Sequence, residues 1–414
     1  MRTPTVLTLV LAGGEGSRLE VLTERRAKPA MPFAGVYRLI DFPLSNCMHS
    51  ELSEVWLVQQ YQPYSIVDHV ANGRPWDLDR TYGGLRILHP HTGDAKGGFH
   101  KGNADAILRN RPYIEEFDPD VLMVLSADHV YKLDYREVVA RHQETGADVT
   151  MVTTEVDIDE ASRFGVARVD GDRIVDYAYK PEEPASRTVT TEVFAFRPRA
   201  LLDLLEELAA AKRDSPEADE ETVEDLGDET LPALVRGGRA HALPMDGYWR
   251  DVGTVDSYWS SQIELATGSA RIDLDERSWP IRSLGTERSP AWISSEARTS
   301  ESLLGPGCAV EGSVVRSLIA PGVRVRPGAI VVDSVILHDA EIASGAEIRR
   351  AIVDRGARIG AEARVGDGEG MGASAEEITL VGMEAQVDDH ATIDLGSRVP
   401  SASPTDRNGT RIPR

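Results

Sequence analysis

The 414-residue chain has only two cysteines, Cys47 and Cys308. Their separation excludes a short-spaced metal or redox pair. So few thiols give no disulfide framework, a usage that fits a reducing cytoplasm. Long apolar runs are missing as well. The first apolar stretch, Val6–Ala12, stops at Gly13-Gly14, so it reads as a buried strand rather than a secretory or membrane segment. Basic residues are in deficit: 45 Lys and Arg stand against 68 Asp and Glu, a net charge of -23. That balance argues against a nucleic-acid partner, because phosphate backbones are bound by net basic surfaces. A polyanionic ligand would have to meet locally gathered cations.

Hydrophobic residues make up 41% of the chain, enough for a sizeable core, and the length exceeds what one core usually uses, so two domains are expected. Up to about residue 265, strand-like runs at Val6–Ala12, 55–59, Val121–Ser126, 149–154 and 193–196 alternate with helix-like runs such as 199–211. Such alternation predicts an α/β sheet covered by helices. The acidic stretch 214–230 reads as a solvated loop leading into a short helix at 231–235.

From about Ser302 helical patterning gives way to a repeat. Ile319, Val325 and Val331 lie six apart, as do Ile336, Ile342 and Ile348, and Val353, Ile359 and Val365, so the unit recurs every 17 residues. Gly322, Asp339 and Gly356 keep the same beat at turns. One inward aliphatic side chain per short strand predicts a triangular β-solenoid whose coils bury their core only against one another. Three coils are in register, and Cys308 and Val314 mark a fourth before them.

The sharpest motif follows the first strand: Leu11-Ala12-Gly13-Gly14-Glu15-Gly16-Ser17-Arg18-Leu19. Glycines let backbone N–H groups approach a phosphate closely, and Arg18 adds a fixed positive fork. A dinucleotide fingerprint would need glycine where Leu19 stands, and the triphosphatase loop would need Gly-Lys-Ser/Thr. Arg26-Ala27-Lys28-Pro29 brings a second cation to the same strand end.

These segments, together with Arg38-Leu39-Ile40-Asp41-Phe42, Gly102-Asn103-Ala104-Asp105, Ala127-Asp128-His129-Val130-Tyr131-Lys132, Phe164-Gly165-Val166, Tyr248-Trp249-Arg250-Asp251-Val252-Gly253-Thr254 and Trp279-Pro280-Ile281-Arg282, resemble the bacterial glucose-1-phosphate adenylyltransferases in order and spacing. The resemblance runs from about residue 5 to 380. It implies a Rossmann-like, GT-A-like mixed-sheet nucleotidyltransferase domain at 1–265, a linker at 266–300 and a left-handed parallel β-helix at 301–395; composition makes 396–414 a disordered tail. The implied activity is transfer of a nucleotide, most simply from ATP, to a sugar 1-phosphate for glycogen or α-glucan synthesis, with Mg²⁺ as cofactor and a homotetrameric assembly.

By the same resemblance Arg18, Lys28 and Asp128 are catalytic, and Asp128 and Asp251 hold Mg²⁺. Leu11, Ala12, Gly13, Gly14, Gly16, Gln60, Gly102, Asn103 and Ala104 bind the nucleotide. Gly165, Lys180 and Glu192 face the sugar phosphate, and Arg25 marks a site for an anionic sugar-phosphate effector. Read without the resemblance, Asp128 and Asp251 could cap the elements that follow them, Lys180 could lie in a surface turn, and Asp105 would order a helix start. His129 and His100 carry no metal-ligand spacing, so no zinc site is expected.

The pattern breaks at three places. Pro90-His91-Thr92-Gly93-Asp94 lacks the family's glutamines, and Phe99-His100-Lys101 replaces its Trp-Tyr-Arg, which loosens the expectation of adenine. Tyr179 stands where the family has a glutamate, and Thr190-Thr191-Glu192 replaces Ser-Met-Gly. The altered sugar site leaves open an acceptor other than glucose 1-phosphate, such as an amino-sugar phosphate paired to Glu192. It also leaves open a weakly catalytic regulatory subunit. An acyltransferase in the solenoid is disfavoured, since His338 is the only histidine in its regular coils.

Overall fold

In the computed structural model, residues 3–14, 16–90, 100–213, 223–285, 287–367 and 374–403 are described. The sheet that carries the site grows from two largely apolar runs, β1 (Val6–Ala12), broken only by Thr8, and its parallel neighbour β4 (Val121–Ser126). Both lie near the centre of the sheet, where covering on both faces permits unbroken aliphatic sequence. β2 (Glu54–Gln59) and β3 (Gly84–Leu88) extend the parallel part outward. On the other side β9 (Thr188–Phe196) runs antiparallel to β4 and to β6 (Val149–Glu155). β10 (Ala240–Pro244), β8 (Arg173–Tyr179) and β7 (Gly165–Asp170) complete nine strands in the order β3-β2-β1-β4-β9-β6-β10-β8-β7. A separate two-stranded ribbon pairs β5 (His129–Tyr131) with β11 (Trp249–Asp251). The helix-like run expected at 199–211 is the helix Pro198–Arg213. No helix among the described residues is long and apolar enough to cross a membrane.

The second half forms three parallel six-stranded sheets, the faces of a triangular solenoid. Its corner residues Gly322, Asp339 and Gly356 have φ of 77°, 58° and 68°, the left-handed backbone that a sharp corner needs. The count of four coils is too low, since each face has six strands. Outer coils leave the 17-residue beat: Leu304 pairs with Ile319, and Val353 with Val381. The first coil leaves Trp292–Ile293 and Arg298–Ser300 exposed and has Thr299 opposite Val314 of the next coil, so no aliphatic period betrays it. Its strand Trp292–Ile293 lies inside the stretch read as linker. Arg398–Val399, inside the stretch read as tail, pairs with the preceding coil, and residues 404–414 lie outside the described residues.

The two halves share one apolar cluster that joins Leu19, Leu22, Met31 and Phe33 to Leu318 and Ile319. Ion pairs add to it. Arg26 meets Asp354 in full burial, Arg25 meets Glu384 at 2.8 Å, and Glu20 meets Arg398. All three first partners belong to the segment between the glycine loop and Lys28, so the solenoid holds that segment in place.

Candidate active site

β1 and β4 end side by side, and the chain turns out of the sheet at Gly13 and at Asp128. Open α/β sheets bind ligands at such carboxyl ends. Here they open into a cleft of ≈ 370 Å³. Gly13 and Gly14 line it, and Gly16 turns the chain away with φ 74°. A Cβ on Gly16 would lie 3.0 Å from Thr23 Cγ2 and 3.2 Å from Lys28 Cβ, so this turn is reserved for glycine by both backbone and space. Thr23 Oγ1 donates to the Gly16 carbonyl at 2.9 Å, which fastens the loop.

Lys28 is the hub. It starts a single 3-10 turn that Pro29 and a buried interior fix in place. Its ammonium lies 2.6 Å from Asp128 Oδ2 and 3.4 Å from Asp251 Oδ1. Register between β5 and β11 places Asp251 opposite His129, which is how the second aspartate reaches the first. Burial alone would lower the lysine, but Asp128, then Asp251 and Glu192, more than offset it and hold the ammonium above its ordinary value. Burial would raise Asp128; Lys28, His129 and the Ser126 hydroxyl overrule it and keep the carboxyl well below the usual carboxylate range. Asp251 is depressed in the same way, against its own burial, chiefly by Lys28 and His129, with Arg163 at 3.5 Å adding to them.

His129 completes this group. Its Nδ1 faces the Thr191 carbonyl at 3.1 Å, so in the neutral ring the proton sits there and Nε2 keeps its lone pair. Nε2 stands 3.7 Å from both aspartates. The ligand atoms of Asp128, His129 and Glu192 lie within 4.8 Å of one another, a set able to hold a metal ion. No sequence spacing reveals this set, since its members come from β5, β9 and the turn after β4.

The far end of the cleft joins Asn103 and Tyr179, both marked in the sequence, to a segment that is not. The acidic stretch read as a solvated loop contributes to the wall: Asp225, Leu226 and Gly227 line the cleft, while 214–222 lie outside the described residues. Asp225 accepts from Tyr179 Oη at 3.0 Å and from Asn103 Nδ2 at 2.7 Å. Asn103 Oδ1 in turn accepts from the Leu226 N–H at 2.6 Å. Gly227 is pressed against the Tyr179 ring, where a Cβ would come within 2.4 Å of Cδ2. The one sequence signal for this wall is a lone glycine inside an acidic run. Burial, then Asp225 and Glu192, push the Tyr179 phenol far above its usual value, so it stays a hydrogen-bond donor.

The expected site residues fall into two groups. Leu11, Gly13, Gly14, Gln60, Gly102 and Asn103 line the cleft, as do Asp128, Gly165 and Glu192. Ala12 and Ala104 are buried behind it. The Gln60 amide is tied to the backbone of His100 by bonds of 2.8 and 2.7 Å, so it shapes the wall. Arg18 is exposed on the 3-10 segment after the loop, with no ion pair to a described residue. Lys180 is exposed, and its Nζ donates to Tyr179 Oη at 2.7 Å. Asp105 orders its helix start by accepting from Lys101 N at 2.9 Å. Asp251 is no helix cap, because Thr254 caps the helix Val255–Ala266. Arg25 is already paired with Glu384. Of the segment expected to read adenine, His91 to Asp94 and Phe99 lie outside the described residues.

Comparison with known proteins gives a consistent picture. The family model described as "Nucleotidyl transferase" matches residues 7–268, and the one described as "GlmU-like, C-terminal hexapeptide" matches 291–393. The glucose-1-phosphate adenylyltransferase of Thermotoga neapolitana is 42% identical over 329 residues, 79% of this chain and 76% of its own. Its namesake from Geobacillus stearothermophilus is 41% identical over 78% of this chain and 82% of its own. That of Thermomicrobium roseum is 44% identical over 74% and 70%.

Proposed function

We propose, for a chain that belongs to the glucose-1-phosphate adenylyltransferase family of nucleotidyl transferases, the reaction that joins ATP to glucose 1-phosphate and releases pyrophosphate, supplying ADP-glucose for α-glucan synthesis. The observation that carries this reading is the Lys28 ammonium held by Asp128 and Asp251 beside a glycine loop, at the carboxyl ends of β1 and β4.

An oxygen of the sugar 1-phosphate attacks the α-phosphorus of ATP. The new P–O bond forms as the bond to the α–β bridging oxygen breaks, and pyrophosphate leaves with that electron pair. The attacking oxygen is already anionic near neutral pH, so no side chain has to take its proton. The obstacle is the gathering of negative charge, which makes positioning and preplaced cations the main resource.

The peptide N–H groups of Gly13, Gly14 and Gly16 would meet the phosphates at the end of β1. Lys28 would exchange its aspartates for phosphate oxygens, and Arg18, unpaired among the described residues, would reach the same phosphates. Leu11, Ala12, Gln60, Gly102, Asn103 and Ala104 would frame the nucleotide, and Gly165, Lys180 and Glu192 the sugar phosphate. The carboxylates are hard oxygen donors that suit Mg²⁺, and the Lys28 ammonium between two of them already sits as a cation there would. Asp128 and Asp251 would hold Mg²⁺, which when bound neutralises triphosphate charge. An anionic effector at Arg25 would have to displace Glu384. Homotetramer assembly would use solenoid surface, of which Trp292 is 54% exposed.

The test is a matrix of nucleoside triphosphates against sugar 1-phosphates with Mg²⁺, read as pyrophosphate release. Turnover of ATP with glucose 1-phosphate is expected. Folded protein that is silent across the whole matrix refutes the reading.

A further inference from the structure

Glu192 sits in a break of β9, where the register against β6 slips between Thr190 and Phe194. Its φ is 56°, a left-handed conformation that a long side chain rarely adopts and that is retained where the surroundings enforce it. The break turns the side chain into the cleft wall rather than into the sheet. There the carboxylate makes no hydrogen bond and no ion pair with any described residue.

The basic side chains nearby are drawn chiefly to other groups, although the His129 ring also lies within 4.8 Å of the Glu192 carboxylate. Lys28 is held by Asp128 and Asp251, Lys180 by the Tyr179 phenol, and the His129 Nε2 stands 3.7 Å from each aspartate. The wall around Glu192 adds another carboxylate, Asp225, and the phenols of Tyr177 and Tyr179. A carboxylate drawn out of water among other carboxylates is costly, and a cationic group on what binds would relieve that cost. A neutral hexose offers only hydroxyl protons. A protonated amine offers protons and charge together, the stronger bond in a water-poor site.

We propose that Glu192 is a specificity-determining residue that selects an acceptor bearing a protonated amine, a hexosamine 1-phosphate, over the neutral hexose 1-phosphate. This rests on the adenylyl-transfer reading of the same cleft: glucose 1-phosphate remains an acceptor, turned over less efficiently, and the bonds made and broken are unchanged. The phosphate oxygen still attacks the α-phosphorus and pyrophosphate still leaves. The competing role for Glu192 is a third ligand to a metal ion with Asp128 and His129. A metal ligand would act on every acceptor alike.

The experiment compares kcat/KM for glucose 1-phosphate, glucosamine 1-phosphate and N-acetylglucosamine 1-phosphate, with ATP and titrated Mg²⁺, in the full chain and in Glu192→Gln and Glu192→Gly. Calorimetric binding of each sugar phosphate is measured alongside. The full chain is expected to favour glucosamine 1-phosphate over both neutral acceptors by about tenfold or more. Either substitution should cut the glucosamine-to-glucose ratio by roughly 10- to 100-fold. An unchanged ratio overturns the proposal. So does an equal loss on all acceptors with a raised Mg²⁺ requirement, which assigns Glu192 to the metal. If nothing turns over, the adenylyl-transfer reading fails by itself, and the binding preference, present or absent in Glu192→Gln, still decides the role of Glu192.

Discussion

Replacing Asp354 by asparagine should loosen the grip of the solenoid on the catalytic segment. Asp354 is fully buried, and Arg26 opposite it is 4% exposed. The carboxylate also accepts from the Arg355 N–H at 2.5 Å. Arg38 lies close enough that burial, and then Arg26, push it down to about 10. Asp354 is therefore the counter-ion of a buried basic group, and Asp354→Asn keeps its shape while removing its charge. Stranding a buried charge costs about 3–5 kcal/mol. Spread over 414 residues, at an unfolding entropy of ~2.1 cal/mol/K per residue, that is a fall in Tm of roughly 3–6 °C. Lys28 lies only two residues beyond Arg26 in sequence, so kcat/KM should fall about tenfold as well. Joint replacement by Arg26→Met and Asp354→Leu removes both charges and should recover most of the stability. Calorimetry and urea denaturation of the unaltered chain, Arg26→Met, Asp354→Leu and the double variant measure the cycle, with Asp354→Asn beside them. A single-substitution loss below about 1 kcal/mol, the size of a surface pair, would refute the reasoning, as would a double variant no more stable than the single one.

Two further outcomes follow from the same structure. Gly227→Ala puts a Cβ against the Tyr179 ring, so steady-state kinetics should show KM for the sugar phosphate rising at least about tenfold with KM for ATP nearly constant. His142 is buried against Thr150, and burial, then Arg197, push it down to about 4. A histidine depressed on folding binds its proton more readily in the unfolded chain. Stability is therefore full above pH 6.5, the ordinary histidine value, and is lost as pH falls from there to about 4, by at most about 3 kcal/mol. Denaturation midpoints across that range should flatten in His142→Gln; an unchanged pH slope would count against it.

How much was legible in the sequence depended on whether a signal was local. β1 and β4 read to the residue because each is a mainly apolar run closed by glycine or by a polar turn. The 17-residue beat found the middle coils, but coils off the beat were missed, since a period says nothing where it is broken. Lys28, Asp128 and Asp251 were each marked by a motif, yet their convergence on one ammonium depends on the pairing of β5 with β11, which no spacing encodes. Asp225 was lost in an acidic run that looks solvated. Glu192 stood out as an unusual residue at its position, whereas its left-handed backbone and missing partner are properties of the folded strand.

The three ion pairs between the loop segment and the solenoid have a metric consequence. Asp354 follows Ala351–Val353, Glu384 follows Thr379–Val381, and Arg398 begins Arg398–Val399, the strands of three consecutive coils on one face. Their partners run the other way along the chain, Arg26, Arg25 and then Glu20. The segment before Lys28 is thus laid along the solenoid axis like a strip against a ruler graduated at about 4.8 Å, the spacing of paired strands. A coil added or removed ahead of Asp354 would leave the spacing among those marks unchanged. One inserted between Asp354 and Arg398 would shift them by a whole graduation and pull the strip out of register, so this part of the repeat is fixed in number by a loop that is not part of it.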